Sequence, residues 1–198
     1  VTYNAASVLQ RTLDSVRQQT HKTIQHLIID GASKDETISI AKAYQQEVSY
    51  DVVITSEPDK GLYDAMNKGL HRATGDYLVF LNAGDTLHSN NTLSALNSQL
   101  FPAGAPTRSL STLPAVIYGD TAIVDEEGKF LHLRRLRPPK ELTWKSFRMG
   151  MLVCHQAFYV RRDIAQMFDY DLQYRHSADV DWCIKVMRKA AELQQPLL

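Results

Sequence analysis

The chain has 198 residues, enough for one domain with a buried core, and its apolar and charged fractions, 44% and 22%, are those of a soluble globular protein. Lys and Arg total 22, as do Asp and Glu, so the sequence lacks the basic excess of a general nucleic-acid binder. Two cysteines are too few for a disulfide scaffold and match no zinc motif, and no apolar run approaches the ~20 residues of a membrane span.

The first half alternates between helical and extended patterns. In chain order it predicts a helix over 7–19, a strand over 26–30, a helix over 33–44, a strand over 52–55, a helix over 62–73 and a strand over 77–81. Ser33 and Glu36 have the spacing of a capping box at the start of the second helix. Such repeated strand–helix–strand units favour a parallel sheet covered by helices on both faces.

The second half is less regular. We predict a loop over 101–114, which contains Pro102, Pro106 and Pro114. Extended segments follow over 116–124 and 130–136, with a turn between them at 125–128. We then predict a short helix over 144–149 and a strand over 155–160. The final helix has Asp179 at its N-terminal edge, and its apolar face consists of Val180, Ile184, Met187 and Ala191. We expect Cys154 and Cys183 to be reduced thiols in the core.

Polar residues follow three of the predicted strands. They are Asp30, then Glu57-Pro58-Asp59, then Asn82-Ala83-Gly84-Asp85. Ligands of open α/β sheets bind beyond the carboxyl ends of the strands, so these residues are candidates for one site.

Several motifs in this order resemble family 2 glycosyltransferases, in particular the bacterial branch that builds exopolysaccharide, capsule and lipopolysaccharide. The motifs are Val1-Thr2-Tyr3-Asn4, Ile29-Asp30-Gly31-Ala32-Ser33, Glu57-Pro58-Asp59-Lys60-Gly61-Leu62-Tyr63-Asp64-Ala65-Met66-Asn67-Lys68-Gly69, Gly75-Asp76-Tyr77, Asn82-Ala83-Gly84-Asp85, Tyr118-Gly119-Asp120, His155-Gln156 and Ser177-Ala178-Asp179-Val180-Asp181. The resemblance covers almost the whole chain. It implies an α/β GT-A (Rossmann-like) fold, with a mixed, mainly parallel sheet flanked by helices.

The resemblance also implies an inverting transfer from a nucleotide diphosphate sugar. UDP is the expected nucleotide, and GDP- and dTDP-linked donors stay open. Tyr3 would lie against the nucleobase and Asp30 would hydrogen-bond it. Lys60 would meet the pyrophosphate, and Asp59, Asn67 and Asn82 would shape the donor pocket. The alternatives are a packed loop aromatic for Tyr3, a turn or helix-cap carboxylate for Asp30 and a solvated helix face for the segment around Lys60.

Asp85 is the candidate ligand of Mn²⁺ or Mg²⁺, since a divalent ion commonly neutralises the leaving diphosphate. Family members often have Asp-x-Asp here, whereas this chain has Asn82, a poorer metal partner than a carboxylate. Asp179 is the candidate general base, and Asp181 competes for that role. The structural alternatives are a turn cap for Asp85 and, for Asp179, a carboxylate that complements the helix dipole; both are consistent with the sequence alone.

We expect one GT-A domain over 1–198, with a nucleotide-sugar half over 1–100 and an acceptor half over 115–198. Because the chain opens at Val1 within an apparent strand, we expect it to be trimmed at both ends. We expect a glycan or lipid-linked acceptor, a cytoplasmic location without a signal peptide, and peripheral association with the inner face of the membrane. The basic run Arg134, Arg135, Arg137 and Lys140 suits a charged surface strand or a lipid-pyrophosphate or anionic membrane contact.

Two other functions stay open. The first is a non-catalytic nucleotide- or glycan-binding GT-A domain, which the presence of Asn82 makes worth testing. The second is a nucleotidyltransferase, which typically carries a Gly-rich basic loop after its first strand; the stretch from Tyr3 to Ser7 has no such feature.

Overall fold

The computed structural model describes residues 1–104 and 109–198. The helices are α1 (Ala6–Arg17), α2 (Thr37–Glu47), α3 (Leu62–Arg72), α4 (Thr92–Leu100), α5 (Arg162–Ala165) and α6 (Ala178–Glu192). The strands are β1 (Gln25–Asp30), β2 (Asp51–Ser56), β3 (Tyr77–Leu78), β4 (Val116–Tyr118), β5 (Ala122–Val124), β6 (Phe130–Leu133) and β7 (Phe158–Arg161). Short 3-10 helices span Leu110–Thr112, Trp144–Met149 and His155–Ala157.

The chain forms two compact units. Unit 1 comprises Val1–Gly75 and Phe80–Ser111, and unit 2 comprises Asp76–Val79 and Thr112–Leu198. The predicted loop at 101–114 includes Pro106, which lies outside the described residues; within that prediction, Leu110–Thr112 form a helical turn and Leu113 is buried.

Unit 1 is built on the parallel pair β1–β2. The register runs from Gln25 opposite Asp51 to Asp30 opposite Ser56, and Thr2 adds a further parallel bridge to Asp30. The core beneath these strands is apolar because α1 and α2 each direct one face toward them, as the helical spacing predicted. Its buried members are Leu9, Leu13, Ile28, Ala41, Tyr44 and Val52.

A chain of polar contacts lies at the side of this core. His26 Nδ1 is 2.8 Å from the hydroxyl of Tyr44, which is 2.6 Å from the hydroxyl of Tyr50. Burial lowers the pKa of His26 to about 4, because the charged imidazolium is poorly solvated there. The imidazole is therefore neutral at pH 7.

Two details of the predicted first half are wrong. Ser33 does not cap a helix: its N–H and hydroxyl both donate to the Asp30 carboxylate, and α2 begins only at Thr37, where Asp35 accepts from the backbone N–H and the hydroxyl of Thr37. The strand predicted over 77–81 ends at Leu78, and it belongs to unit 2, where it pairs antiparallel with β7. The other predicted elements of the first half agree within two residues at each end. In the second half, the extended segment predicted over 116–124 is divided into β4 and β5, and the one predicted over 130–136 ends at Leu133.

Unit 2 contains a three-stranded antiparallel sheet in the order β3-β7-β4 and a separate β5–β6 hairpin. The hairpin turn falls at 125–128 as predicted, with Gly128 N donating to Asp125 O. The core is aromatic: Tyr170 stacks on Trp182 with ring centroids 5.0 Å apart, and Phe158 meets the Trp182 ring edge-on at 6.3 Å.

The predicted apolar face of α6 is largely wrong. The buried positions are Ala178, Trp182, Cys183, Val186, Met187 and Ala190, so of the predicted positions only Met187 is buried. The large Trp182 side chain sets the rotation of the helix, since its indole donates to Phe168 O at 2.8 Å. The strand predicted over 155–160 is also shorter, because His155–Ala157 form a 3-10 turn before β7.

Arg161 links three segments of unit 2 from the end of β7. Its side chain is 2% exposed and forms an ion pair with Asp163 at 2.7 Å. It also donates to Leu113 O at 2.7 Å and to Gln195 Oε1 at 2.9 Å. A buried guanidinium satisfied in this way holds the segments before β4 and after α6 together.

The two cysteines, Cys154 and Cys183, are free thiols. None of the helices in the described ranges is both long enough and apolar enough to cross a bilayer.

Candidate functional site

A cleft of about 560 Å³ opens in unit 1 where the parallel segments end. Thr2, β1 and β2 run in the same direction, so the residues that follow them emerge at one edge of the sheet. The lining residues come from four stretches of the chain: Val1, Thr2, Tyr3 and Ala5; Gly31; Pro58, Asp59, Gly61, Leu62 and Ala65; and Asn82 and Ala83.

Tyr3, Gly31 and Asp59 form the middle of the cleft wall. Tyr3 is 62% exposed, so its ring presents a face to solvent. A Cβ on Gly31 would lie 2.6 Å from Asp59 Oδ2 and 3.3 Å from the Tyr3 ring, so only glycine allows both side chains to approach the backbone here. Asp59 is fixed in turn by accepting from Gly61 N at 2.8 Å, at the start of α3. The sequence prediction included Tyr3 and Asp59 but not Gly31.

Asp30 lies at the end of β1 and is buried. Its Oδ2 accepts from Ser33 N at 2.9 Å and from Ser56 Oγ at 2.7 Å, and its Oδ1 accepts from Ser33 Oγ. A carboxylate has about four acceptor positions, so one on Oδ1 stays available after these contacts. Asp30 holds the turn after β1 and caps no helix, and it is not among the residues that line the cleft. Its predicted contact with the base stays a prediction.

Two loop residues beside Asp30 adopt the left-handed backbone region. Asn4 has φ 46° and Ala32 has φ 62°. Asn4 is held there because its N–H donates to Ser33 Oγ at 2.7 Å and its Oδ1 accepts from Lys34 N at 2.9 Å. Such backbone costs of order 1 kcal/mol or more per residue, and it concentrates at ligand sites.

The turn from Asn82 to Asp85 is held against α1. Thr12 Oγ1 accepts from Gly84 N at 2.8 Å, and Arg11 donates to Gly84 O at 2.5 Å. Gly84 has φ 101°, a conformation that favours glycine, and Asp85 N donates to Asn82 O at 3.0 Å to close the turn. Neither Arg11 nor Thr12 was predicted as a site residue, since on the sequence they are ordinary helix positions.

The remaining predicted donor residues do not line the cleft. Lys60 is exposed, and its backbone N–H donates to Asp64 Oδ2 at 3.0 Å at the start of α3. Asn67 is half-buried on α3, and Asp85 is half-buried at the end of its turn. In the described ranges, no three His, Cys, Asp or Glu side chains are grouped closely enough to form a metal site. Within its own turn, Asp85 supplies the one carboxylate, because Asn82 stands where an aspartate is common.

The two candidate bases in unit 2 have different surroundings. Asp179 lies in the first turn of α6, with its Oδ2 3.5 Å from Nδ1 of the buried His155 and its Oδ1 accepting from Val180 N. Asp181 instead forms an ion pair with Lys185 at 2.7 Å. Burial, together with the negative charge of Asp179, raises the pKa of the Cys183 thiol well above its usual range, so this neighbour stays neutral.

Two arginines of the basic run over 134–140 form contacts within unit 2. Arg134 donates to Leu136 O at 2.9 Å and to Met151 O, and Arg137 pairs with Asp120. Arg135 and Lys140 are exposed.

Solved structures resemble this fold. Staphylococcus aureus TarS residues 1–349 in complex with UDP superposes with a TM-score of 0.73 at 15% identity, covering 94% of this chain and 53% of that one. The mannosyltransferase PcManGT from Pyrobaculum calidifontis, in complex with GDP-Man and Mn²⁺, has a TM-score of 0.63 at 16% identity. The match covers 100% of this chain and 52% of that one. The chain thus spans about half the length of these proteins, and the expected α/β GT-A fold is confirmed.

Sequence relatives identify the family. A PGL/p-HBAD biosynthesis glycosyltransferase of Mycobacterium bovis is 32% identical over 194 residues, covering 96% of this chain and 68% of that protein. An uncharacterized glycosyltransferase of Mycobacterium tuberculosis is 31% identical over 188 residues, which cover 93% of this chain and 66% of that protein. The model of glycosyl transferase family 2 matches residues 1–103, the stretch that contains every segment of the cleft. Cleft, fold and relatives agree, and the chain belongs to the family 2 glycosyltransferases.

Proposed function

We propose that the chain is the catalytic part of an inverting glycosyltransferase that uses a UDP-sugar. The acceptor is a glycan or a lipid-linked glycan of cell-surface polysaccharide synthesis. The observation that carries the proposal is the cleft at the ends of the parallel segments, with the exposed ring of Tyr3 on one side of Gly31 and the carboxylate of Asp59 beside it. TarS, which has a similar fold, was solved with UDP, and this supports the choice of base.

The donor base is expected to stack on Tyr3, because every base offers an apolar face to an aromatic ring. The open acceptor position on Asp30 Oδ1 would take a base N–H, and Asp59 would accept from a ribose hydroxyl. Lys60 would bind the diphosphate through its ammonium group. Its exposed side chain lies outside the cleft and would have to turn toward the bound donor.

A divalent ion fits this donor set only in a limited way. The turn from Asn82 to Asp85 contains one carboxylate, that of Asp85, and Asn82 contributes a neutral amide. Mg²⁺ is commonly held by one or two carboxylates together with substrate phosphates and water, so Asp85 would hold Mn²⁺ or Mg²⁺ jointly with the donor. When bound, the ion would neutralise negative charge on the diphosphate leaving group.

The transfer itself needs a base for the acceptor hydroxyl. We assign that role to Asp179, since Asp181 is engaged by Lys185 whereas Asp179 faces a histidine. The acceptor oxygen forms a bond to the anomeric carbon while the bond from that carbon to the diphosphate breaks. The proton passes to Asp179, the electron pair leaves with the nucleotide diphosphate, and the configuration is inverted in one displacement.

The location follows from the proposed substrates. Nucleotide sugars are cytoplasmic, and a lipid-linked acceptor would be met at the inner face of the membrane. We therefore propose a cytoplasmic protein that acts at this face.

The second candidate is a binding-only GT-A domain, favoured by the single carboxylate at the Asn82–Asp85 turn. Calorimetric titration with UDP, GDP and dTDP, with and without Mn²⁺, separates the two when it is combined with an assay of nucleotide release from UDP-sugars. We expect UDP to bind most tightly, Mn²⁺ to strengthen binding, and Asp85→Ala to remove the Mn²⁺ effect.

Asp51→Ala is the matched control, because Asp51 is an exposed aspartate at the opposite, amino end of β2. Binding without nucleotide release, for every UDP-sugar and acceptor extract supplied, would establish the binding-only domain. Absence of binding for all three nucleotides would contradict both candidates.

A further inference from the structure

A buried histidine lies against the proposed base from a different part of unit 2. His155 begins the 3-10 turn His155–Ala157 before β7, and Asp179 lies in the first turn of α6. Nδ1 of His155 is 3.5 Å from Asp179 Oδ2. The histidine side chain is 11% exposed and the aspartate side chain 19%. Because both groups are largely sheltered from water, an interaction between this ring nitrogen and the carboxylate is stronger than it would be at an open surface.

Separate elements hold the two side chains in this position. Gly119, which follows β4, donates its N–H to Ala157 O at 3.1 Å, so the turn that carries the histidine is tied to the three-stranded sheet. On α6, the N–H of Val180 donates to Asp179 Oδ1 at 3.0 Å, while Oδ2 is the oxygen nearest the ring. Trp182, one turn further along, is buried and fixes α6 in the core. Packed elements of one unit therefore set the distance between the ring and the carboxylate.

We infer that His155 is a positioning residue, whose Nδ1–H donates to Asp179 Oδ2 and fixes the orientation of this carboxylate. The inference rests on the proposed function, in which Asp179 accepts the proton of the attacking hydroxyl. A general base acts only while its oxygen stays within hydrogen-bond reach of that proton, so a carboxylate held in one orientation is more effective than one that rotates. The present 3.5 Å separation is long for a hydrogen bond, and such contacts tighten when the substrate is bound.

The same contact has a second interpretation, in which the histidine is the base. In Ser-His-Asp triads a carboxylate accepts from Nδ1–H of the histidine, and Nε2 removes the proton. The greater enclosure of the His155 side chain favours the carboxylate as the group that meets the acceptor. The two roles also make different demands on position 155: positioning requires only a donor near Nδ1, whereas a base requires Nε2 as well. Asparagine supplies the first of these atoms and lacks the second, so His155→Asn separates the two roles.

The first test measures release of UDP from UDP-glucose, UDP-galactose and UDP-GlcNAc with water as the acceptor, which needs no knowledge of the natural acceptor. We expect His155→Phe to lower kcat about tenfold with KM unchanged, because one hydrogen bond to the base is lost. His155→Asn should restore kcat to within about threefold of the wild type. His132→Phe is the matched control, since His132 is an exposed histidine of β6 in the same unit. Unchanged melting temperatures show that the variants are folded.

The second test combines substitutions at both positions. In a chain that already carries Asp179→Asn, His155→Phe should lower kcat by less than twofold more, because the histidine then has no base to position. A purely structural histidine would lower kcat equally in both backgrounds, and that result overturns the inference. A His155→Asn variant as slow as His155→Phe, or a His155→Phe variant as fast as the wild type, overturns it too. In these three outcomes the wild type turns over, so the proposed function stands.

The tautomer of His155 provides a readout that does not depend on turnover. Long-range ¹H–¹⁵N spectra in alkaline buffer show which ring nitrogen of a neutral histidine carries the proton, and the signals missing from the His155→Asn spectrum identify His155 among the 7 histidines. We expect the proton on Nδ1. A proton on Nε2 overturns the inference, whatever the activity. A wild type with the Nδ1–H tautomer that binds UDP but releases none from the three UDP-sugars instead contradicts the proposed function, and with it the catalytic purpose of the contact.

Discussion

Replacing Gly31 with alanine tests the geometry of the proposed donor cleft. The new Cβ would lie 2.6 Å from Asp59 Oδ2 and 3.3 Å from both Asp59 Cγ and Tyr3 Cδ2. Non-bonded carbon and oxygen atoms do not approach to 2.6 Å, so the Asp59 carboxylate must turn away. That movement breaks its 2.8 Å hydrogen bond with Gly61 N, and the Tyr3 ring must give way by a few tenths of an ångström.

The expected loss in UDP binding combines two terms. Displacement of the Asp59 carboxylate removes its hydrogen bond with the ribose hydroxyl, which costs about 1 kcal/mol of binding free energy. Partial loss of the base stack on Tyr3 costs about 1 kcal/mol more. Together they lower UDP affinity about 30-fold, since each 1.4 kcal/mol is roughly a factor of ten. Folding should change little, because the displaced atoms belong to side chains at the edge of an open cleft and alanine restricts the unfolded chain.

Titration calorimetry measures the affinity for UDP, and urea unfolding measures the free energy of unfolding. Gly119→Ala is the matched control: a Cβ there meets no atom within 4 Å, and Gly119 lacks a positive φ. UDP affinity of Gly31→Ala within twofold of the wild type would refute the proposed placement of the base on Tyr3 and of the ribose beside Asp59. An equal loss in Gly119→Ala would show that the effect is not local to the cleft.

Four further predictions concern single side chains. Asp179→Asn should lower turnover at least 100-fold with UDP affinity unchanged, whereas Asp181→Asn should lower it by less than tenfold, as measured by nucleotide release. His155→Phe should lower kcat about tenfold without changing KM, and His155→Asn, which keeps a donor near the position of Nδ1, should restore most of it. Arg161→Met should destabilise the chain by about 3 kcal/mol in urea unfolding, because buried partners lose their donor. Since the folded pKa of His26 is lowered from 6.5 to about 4, stability should fall by up to about 3 kcal/mol as pH drops from 6.5 to 4, and His26→Gln should flatten that slope.

Each of these has an outcome that contradicts it. Equal losses at both aspartates would remove the assignment of the base, and a His155→Asn variant as slow as the Phe variant would remove the positioning role of that histidine. An Arg161→Met chain as stable as the wild type would mean that its contacts contribute nothing net. A rise in stability toward pH 4 would reverse the sign expected for His26.

Local periodicity predicted the elements whose partners are near in sequence. α1, β1 and β2 agree with their patterns because each presents apolar residues to the same core, and α3 agrees because it buries one regular face of its own. The errors arise where distant residues compete. Ser33 has the spacing of a cap, yet Asp30 takes both its donors. The short β3 depends on pairing with β7, about 80 residues away, and no local pattern encodes that partner.

The site was predicted to a similar extent. Tyr3, Asp59 and Asn82 follow strand ends and do line one cleft, whereas Lys60 does not, because a turn residue can point to either side. Gly31 was passed over since its importance lies in what a side chain would strike. Arg11 was invisible for a different reason: its contact with Gly84 O crosses 73 positions of sequence.

The cleft is assembled from four stretches that span the first 83 residues. None of these stretches can hold a nucleotide alone, so the ligand-binding state exists only when unit 1 has folded throughout. Nucleotide binding then stabilises folding by mass action, by about 2.7 kcal/mol when the ligand is at 100 times its dissociation constant. The proposed UDP-sugar donor would therefore increase the folded fraction of the newly made chain. The same linkage turns the melting temperature into a screen, in which the cognate donor is the compound that raises it most.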